Sequence, residues 1–183
     1  MYKTVVFDLD GTLLNTLTDL ADAGNRLCRK YGWPTHERQA YRYFVGNGIP
    51  KLVERLAPAD QRTPAVLEAA LADFKRDYGQ HLRDTTAPYP GIPEMLAKLK
   101  ANGVQLAVFS NKADALAKEV VKDYFGTQYF TIVRGQMTGV APKPAAEGTN
   151  ALLQALHADP ASTLYVGDSN VDVDTAHNAG LPC

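Results

Sequence analysis

Three short apolar runs, each stopping abruptly at acidic or amide residues, constrain this chain more than any other feature. Val5-Val6-Phe7 runs into Asp8-Leu9-Asp10-Gly11-Thr12, Leu106-Ala107-Val108-Phe109 into Ser110-Asn111, and Leu164-Tyr165-Val166 into Gly167-Asp168-Ser169. Runs this short and this continuously apolar predict strands buried on both faces, as in a parallel sheet. Helical patterns separate them: 93–101 before the second run, Leu116, Val120, Val121 and Tyr124 after it, then 145–156 and 171–179. Tyr129 to Val133 is a further strand candidate. Strands alternating with helices predict an α/β fold with a doubly wound, Rossmann-like parallel sheet and right-handed crossovers.

The alternation is broken once. Between about Asn15 and Pro88 only helical patterns occur. Leu17, Leu20, Ala21, Leu27, Cys28 and Tyr31 share a helical face that Gly32 can end, and 35–44 and 49–56 read as shorter helices. Thr63-Pro64 supplies an N-cap and an N1 proline for the helix that carries Val66 to Leu82. The expected division is an α/β core of residues 1–14 and 89–183 with an α-helical cap of residues 15–88 inserted after the first strand. Open α/β sheets bind ligands beyond the carboxyl ends of their strands. A module inserted at that point is expected to act as a lid.

Composition narrows the function. With 19 Lys+Arg against 20 Asp+Glu the net charge is -1, so no basic field exists to hold a nucleic-acid backbone. Two distant cysteines, Cys28 and Cys183, make neither a disulfide framework nor a zinc site. No stretch approaches the ~20 apolar residues of a membrane span, and the N-terminal apolar run is too short for a signal peptide. A cytoplasmic protein without membrane or nucleic-acid partners is expected; nothing in the sequence addresses its oligomeric state.

The predicted topology brings Asp8, Asp10 and Asp168 to one sheet edge, together with Lys143 from Pro142-Lys143-Pro144. Polar residues after a strand ordinarily make turns and helix caps, which explains any one of these but poorly explains their convergence. Two carboxylates about 4 Å apart repel by about 4 kcal/mol at an effective dielectric of 20, so three of them call for a cation. Oxygen ligands without His or Cys favour Mg²⁺. Lys143 adds a compact charge suited to a phosphoryl group. A carboxylate is already ionised near neutral pH and can attack phosphorus without an activating base.

Asp8-Leu9-Asp10-Gly11-Thr12-Leu13, Ser110-Asn111, Pro142-Lys143-Pro144 and Gly167-Asp168-Ser169-Asn170-Val171-Asp172 resemble, in order, the four motifs of the haloacid dehalogenase-like hydrolase superfamily. The resemblance covers nearly the whole chain and is specific because all four motifs occur in order. It implies that Asp8 is the nucleophile, forming an aspartyl phosphate, and that Asp10 is the acid and then the base. It also implies Mg²⁺ held by the Asp8 and Asp168 side chains and the Asp10 carbonyl, with Ser110, Asn111 and Lys143 on the phosphoryl oxygens. Thr12 would fix the turn or bond Asp10, and Asp172 would orient Lys143 or a metal-bound water. An ordinary first-turn helix acid remains the alternative for Asp172. Superfamily members that displace halide or cleave phosphonates lack the second aspartate, which leaves phosphate monoester hydrolysis.

For the substrate, Arg42-Tyr43-Phe44-Val45-Gly46-Asn47-Gly48 resembles a cap loop of phosphoglycolate phosphatases. Arg42 would read a substrate carboxylate, with Asn47 beside it; a solvated surface arginine is the alternative. The expected activity is a Mg²⁺-dependent phosphatase acting on a small phosphate ester, phosphoglycolate favoured. Other sugar-phosphate phosphatases, pyrophosphatases and phosphoglucomutase-like enzymes remain open, as does a non-catalytic regulatory or binding domain. Two departures stand out. Asn15-Thr16 occupies positions where relatives usually carry Asp-Ser, and it should still cap the first inserted helix. The chain also stops at Cys183 where relatives continue into another strand and helix, which reads as a shortened or incomplete chain, or a naturally short variant, with an exposed sheet edge.

Overall fold

A computed structural model describes all 183 residues. Four strands, β1 (Thr4–Phe7), β4 (Gln105–Ala113), β5 (Phe130–Gln136) and β6 (Thr163–Val166), form one sheet in the order β5-β4-β1-β6, with every neighbouring pair parallel. Two short strands, β2 (Leu14–Asn15) and β3 (Ala87–Pro88), pair with each other where the chain leaves and re-enters this unit. The fold is the α/β parallel-sheet type that the strand patterns predict. The chain first builds outward from β1 through β4 to β5, then returns to place β6 on the other side of β1. The sheet's switch point is therefore at β1, the position where open α/β sheets take ligands.

Register levels the strand ends. Phe7 lies opposite both Val108 and Val166, so Asp8 emerges between the Ser110-Asn111 stretch of β4 and the Gly167-Asp168 turn. Alternation along the strands sends Val6, Ala107, Phe109 and Tyr165 to one face, where they pack with Leu152, Leu153 and Leu156 of α7 (Ala146–Leu156) and Ala176 of α8 (Asn170–Asn178). Val5, Phe7, Leu106 and Val108 point to the opposite face and are equally buried. The helices α5 (Ile92–Ala101) and α6 (Asp114–Phe125) complete this unit.

The chain separates into two compact units, Met1–Leu14 with Pro88–Cys183, and Asn15–Ala87. Between the β2 and β3 ends the second is helical, with α1 (Leu17–Tyr31), α2 (Tyr41–Phe44), α3 (Ile49–Leu56) and α4 (Pro64–His81). Trp33, Tyr41, Leu52, Phe74 and Tyr78 form its interior. Arg26 of α1 grips Asp77 of α4 through both carboxylate oxygens, at 2.9 and 3.0 Å. Lys30 and Tyr31 one turn later hold Asp73.

Several boundaries differ from the sequence reading. The strand expected to stop at Phe109 continues to Ala113, and 35–44 divides into a 3₁₀ turn at Arg38–Ala40 followed by α2. Thr16 precedes α1 without making a side-chain cap; it is buried, and only its carbonyl accepts, from Leu20 N–H. Thr63 does cap α4 through its hydroxyl. The β6 edge is partly paired, because Tyr165 N–H donates to the Pro182 carbonyl at 2.8 Å and Leu181 packs into the core.

Candidate active site

The segment after β1 is a tight loop closed on itself. Leu9 carbonyl accepts from Leu13 and Leu14 N–H, both at 3.0 Å, and Gly11 N–H donates to Leu14 carbonyl. Gly11 takes a φ of 94°, which L side chains rarely adopt, and a Cβ there would lie 2.6 Å from the Asp168 carboxyl carbon. Glycine is thus what lets the first loop approach the third aspartate. Gly167 plays the same part toward Asp172, whose side chain occupies the place a Cβ would need.

Asp8 lies within the sheet's carboxyl end and is 7% exposed. Its Oδ1 is 2.8 Å from Lys143 Nζ. That ammonium is itself buried and also contacts Asp172 Oδ1 at 2.7 Å, Tyr165 OH at 3.1 Å and Phe109 carbonyl at 3.2 Å. Burial alone would lower Lys143, but Asp8, Tyr165 and Asp172 raise it above the usual lysine range, so it stays charged. Asp8 is pushed up to about 6, chiefly by burial and further by repulsion from Asp172 and Asp10, against the pull of Lys143. Asp168 is also raised, by burial and by Asp172, although Thr12 Oγ1 donates to it at 3.0 Å. Asp172 moves the other way: burial would raise it, yet Lys143 and Ser169 hold it below the usual carboxylate range.

Asp8, Asp168 and Asp172 each bring a carboxylate oxygen within 4.8 Å of the others. Asp172 is already engaged on both oxygens, by Lys143 on one and by the Ser169 N–H and hydroxyl on the other. The pair that remains under-compensated is Asp8 and Asp168. Two such hard oxygen donors, raised by burial and by their neighbours, fit a small divalent cation.

Asp8, Asp10, Thr12, Ser110, Asn111, Lys143, Asp168 and Asp172 all lie in the α/β unit, with some partners other than those expected. Thr12 bonds Asp168 rather than Asp10. Asp172 contacts Lys143 and also forms a capping box with Ser169 at the start of α8. The Asn111 side chain straps the lysine's loop to β4: Oδ1 accepts from Lys143 N–H at 2.8 Å and Nδ2 donates to its carbonyl. Ser110 Oγ accepts from Lys112 N–H, which leaves its O–H to donate elsewhere. Arg42 and Asn47 belong to the helical unit. Arg42 is exposed on α2, and Asn47 Oδ1 accepts from Arg55 Nη2 at 2.8 Å.

Two residues escaped the sequence reading. Lys112, with 2% of its side chain exposed, binds both oxygens of Asp10 at 2.9 and 3.1 Å. Tyr165, fully buried, places its hydroxyl between Lys143 and Asp172. A buried tyrosine ordinarily finds a partner for its hydroxyl, so its position two residues before Gly167 was a usable signal.

Residues 5–183 match the haloacid dehalogenase-like hydrolases. The chain belongs to that family. It is 32% identical to a phosphoglycolate phosphatase of Thiobacillus denitrificans, over 98% of this chain and 81% of that protein. It is 34% identical to a phosphoglycolate phosphatase of Neisseria meningitidis, over 97% of this chain and 77% of that one. The crystal structure of a predicted phosphoglycolate phosphatase from Haemophilus somnus 129PT superposes with a TM-score of 0.88 at 28% identity, covering 98% of this chain and 83% of that one. The chain is thus a hydrolase of the phosphatase-like kind, and no helix in it is long and apolar enough to cross a membrane.

Proposed function

We propose that this hydrolase is a Mg²⁺-dependent phosphatase of a small phosphate monoester, phosphoglycolate favoured, working through an aspartyl phosphate on Asp8. The observation that carries the reading is Asp8 itself. It is a buried carboxylate at the sheet's switch point, with one oxygen held by Lys143 and a second aspartate two residues on.

In this reading the free oxygen of Asp8 attacks phosphorus while Lys143 fixes the other. Asp10 gives its proton to the departing alcohol oxygen, then takes one from the water that attacks the phosphorylated Asp8. Inorganic phosphate leaves and the Asp8 carboxylate is restored. Ser110 O–H donates to a phosphoryl oxygen. Asp8 and Asp168 side chains with the Asp10 carbonyl are the group that would hold Mg²⁺. When bound, the ion supplies positive charge against the phosphoryl oxygens and the clustered carboxylates. Residues 15–88 are proposed as the substrate-selecting cap, with Arg42 and Asn47 as its candidate specificity residues. A cytoplasmic location belongs to the same proposal.

Phosphate release from an aryl phosphate, with Mg²⁺ and with a chelator, tests the reaction. A panel of small esters including phosphoglycolate tests the substrate. Mg²⁺-dependent release with phosphoglycolate the best of the panel is the expected result. An isomerised sugar phosphate without release of inorganic phosphate would identify a mutase instead, and absence of any turnover would leave a binding domain.

A further inference from the structure

Lys112 is a lysine in an unusual place. It follows Ser110-Asn111 on β4, which continues through Ala113, and its side chain is almost completely removed from solvent. Lysine is seldom buried to this extent unless paired. Its ammonium meets both oxygens of Asp10, a residue 102 positions away in sequence, at 2.9 and 3.1 Å. Asp10 for its part stands on the tight loop after β1 and keeps 23% of its side chain exposed. The buried partner is therefore the lysine, and the carboxylate is the end that can reach a ligand.

Other buried polar clusters do not offer this. Asn25 with His36 and Tyr41, and Asp19 with Thr85 and Thr86, are closed networks inside the helical unit. Lys143 with Asp172 and Tyr165 supports Asp8 and is part of the site already described.

We propose that Lys112 is the positioning residue of the acid–base step: from β4 it holds and aims the Asp10 carboxylate. The inference rests on the phosphatase reading above and deepens it. One strand end then carries three tasks in adjacent residues. Ser110 offers a hydroxyl, Asn111 anchors the loop of Lys143, and Lys112 sets the direction of Asp10. The rigid sheet thus fixes the distance between the nucleophile's support and the acid. General acid–base catalysis requires the carboxyl within hydrogen-bond reach of the leaving oxygen, and misplacement by about 1 Å can cost ~10²-fold. Both oxygens gripped from one side leave the carboxylate little freedom to rotate away.

The test compares Lys112→Met, Lys112→Arg, Asp10→Asn and the Lys112→Met/Asp10→Asn pair on aryl and alkyl phosphates of graded leaving-group ability. The quantity read is kcat/KM, which reports through formation of the phosphorylated enzyme. Lys112→Met is expected to lose about 10- to 100-fold on poor leaving groups and only a few-fold on the best ones. In the Asp10→Asn background the same change should cost nothing more, and inhibition by inorganic phosphate should be unaltered. Lys112→Arg, which keeps a cation in place, should recover part of the loss and keeps the test valid if Lys112→Met does not fold. A uniform loss over all leaving groups, a loss that persists in the Asp10→Asn background, or weakened phosphate inhibition would overturn the assignment. The wild-type protein run alongside separates the two levels: if it hydrolyses no ester, the phosphatase reading itself fails.

Discussion

Asp8 and Asp19 are both buried carboxylates, one in each unit, and their surroundings differ in kind. Asp19 sits on α1 and receives four neutral donors: the N–H and hydroxyl groups of Thr85 and of Thr86, at 2.5 to 3.2 Å. It lies beside no lysine or arginine in those contacts and ties the last loop of the helical unit to its first helix. Asp8 has one strong partner, Lys143, and that partner is shared with Asp172 and Tyr165. Neighbouring aspartates raise it further. A carboxylate whose task is to hold structure is saturated with donors. One whose task is chemistry keeps an oxygen available and tolerates the strain of like charges.

The sharpest break of this comparison is Asp8→Asn. Turnover should fall by at least about 10⁴-fold while the protein stays folded, because the nucleophile is lost and the Lys143–Asp172 pair survives. Steady-state hydrolysis of an aryl phosphate, with circular dichroism as the control, reads both. Retained activity would remove Asp8 from its proposed role and leave it a structural residue like Asp19.

Asp19→Ala should do the converse. Removing the acceptor strands the donors of Thr85 and Thr86, and hydrogen bonds to a charged group contribute about 1.5–3 kcal/mol each. With partial rescue by water, a loss of about 2–4 kcal/mol in urea unfolding is expected, with kcat on an aryl phosphate within a few-fold of wild type at temperatures below melting. A collapse of kcat in the still-folded variant would show that this network serves the chemistry as well.

The contrast also explains what was legible in the sequence. Asp8, Asp10, Asp168 and Lys143 were visible because each follows a strand run or opens a helix, and parallel strands deliver such ends to one edge. Lys112 was not, for a physical reason. A lysine after two polar residues ordinarily marks a solvated turn, and the strand looked finished at Phe109. Only pairing with β5 carries β4 on to Ala113, and that pairing is long-range. Asn111 was found, but its task was not: which group an amide bonds depends on the neighbouring loop, and here that is the Lys143 backbone. Thr16 misled in the opposite direction. It has the right chemistry for a cap, yet its burial between β2 and α1 leaves its side chain without that bond.

Acidity gives a third test. Asp8 stands at about 6 in the folded metal-free protein against 3.8 for an ordinary aspartate. The raised folded value means that its contribution to stability is fully present below about pH 4 and is lost as pH rises through about 6. Asp8→Asn cannot ionise. It should therefore gain on the metal-free wild type over that window and keep a constant advantage above about pH 7. A gap of that width corresponds to at most about 3 kcal/mol, reduced by whatever the Asn gives up at Lys143. Urea melts from pH 4 to 8 in chelator check the sign, and Mg²⁺ should stabilise the wild type more than the variant. A wild type that gains relative to Asp8→Asn with rising pH would mean that Lys143 outweighs burial at this carboxylate.

The same division between saturated and available charge recurs on a smaller scale in the arginines of the helical unit. Arg55 of α3 donates through Nη1 to the Phe44 carbonyl and through Nη2 to Asn47 Oδ1, both at 2.8 Å, and so holds the loop that contains Gly46 and Gly48. Arg42, on α2, projects its side chain to solvent. If Arg42 reads a substrate carboxylate, Arg42→Ala should weaken kcat/KM for phosphoglycolate while leaving a generic aryl phosphate nearly unchanged. A charged hydrogen bond contributes about 1.5–3 kcal/mol, so the ratio between the two substrates should fall by roughly ten- to a hundred-fold. Arg55→Ala should instead lower the unfolding free energy and loosen the loop, with a smaller effect on the ratio. Equal losses on both substrates in Arg42→Ala would make it a surface arginine. A ratio that moves with Arg55 and not with Arg42 would transfer specificity to the loop itself, through Asn47.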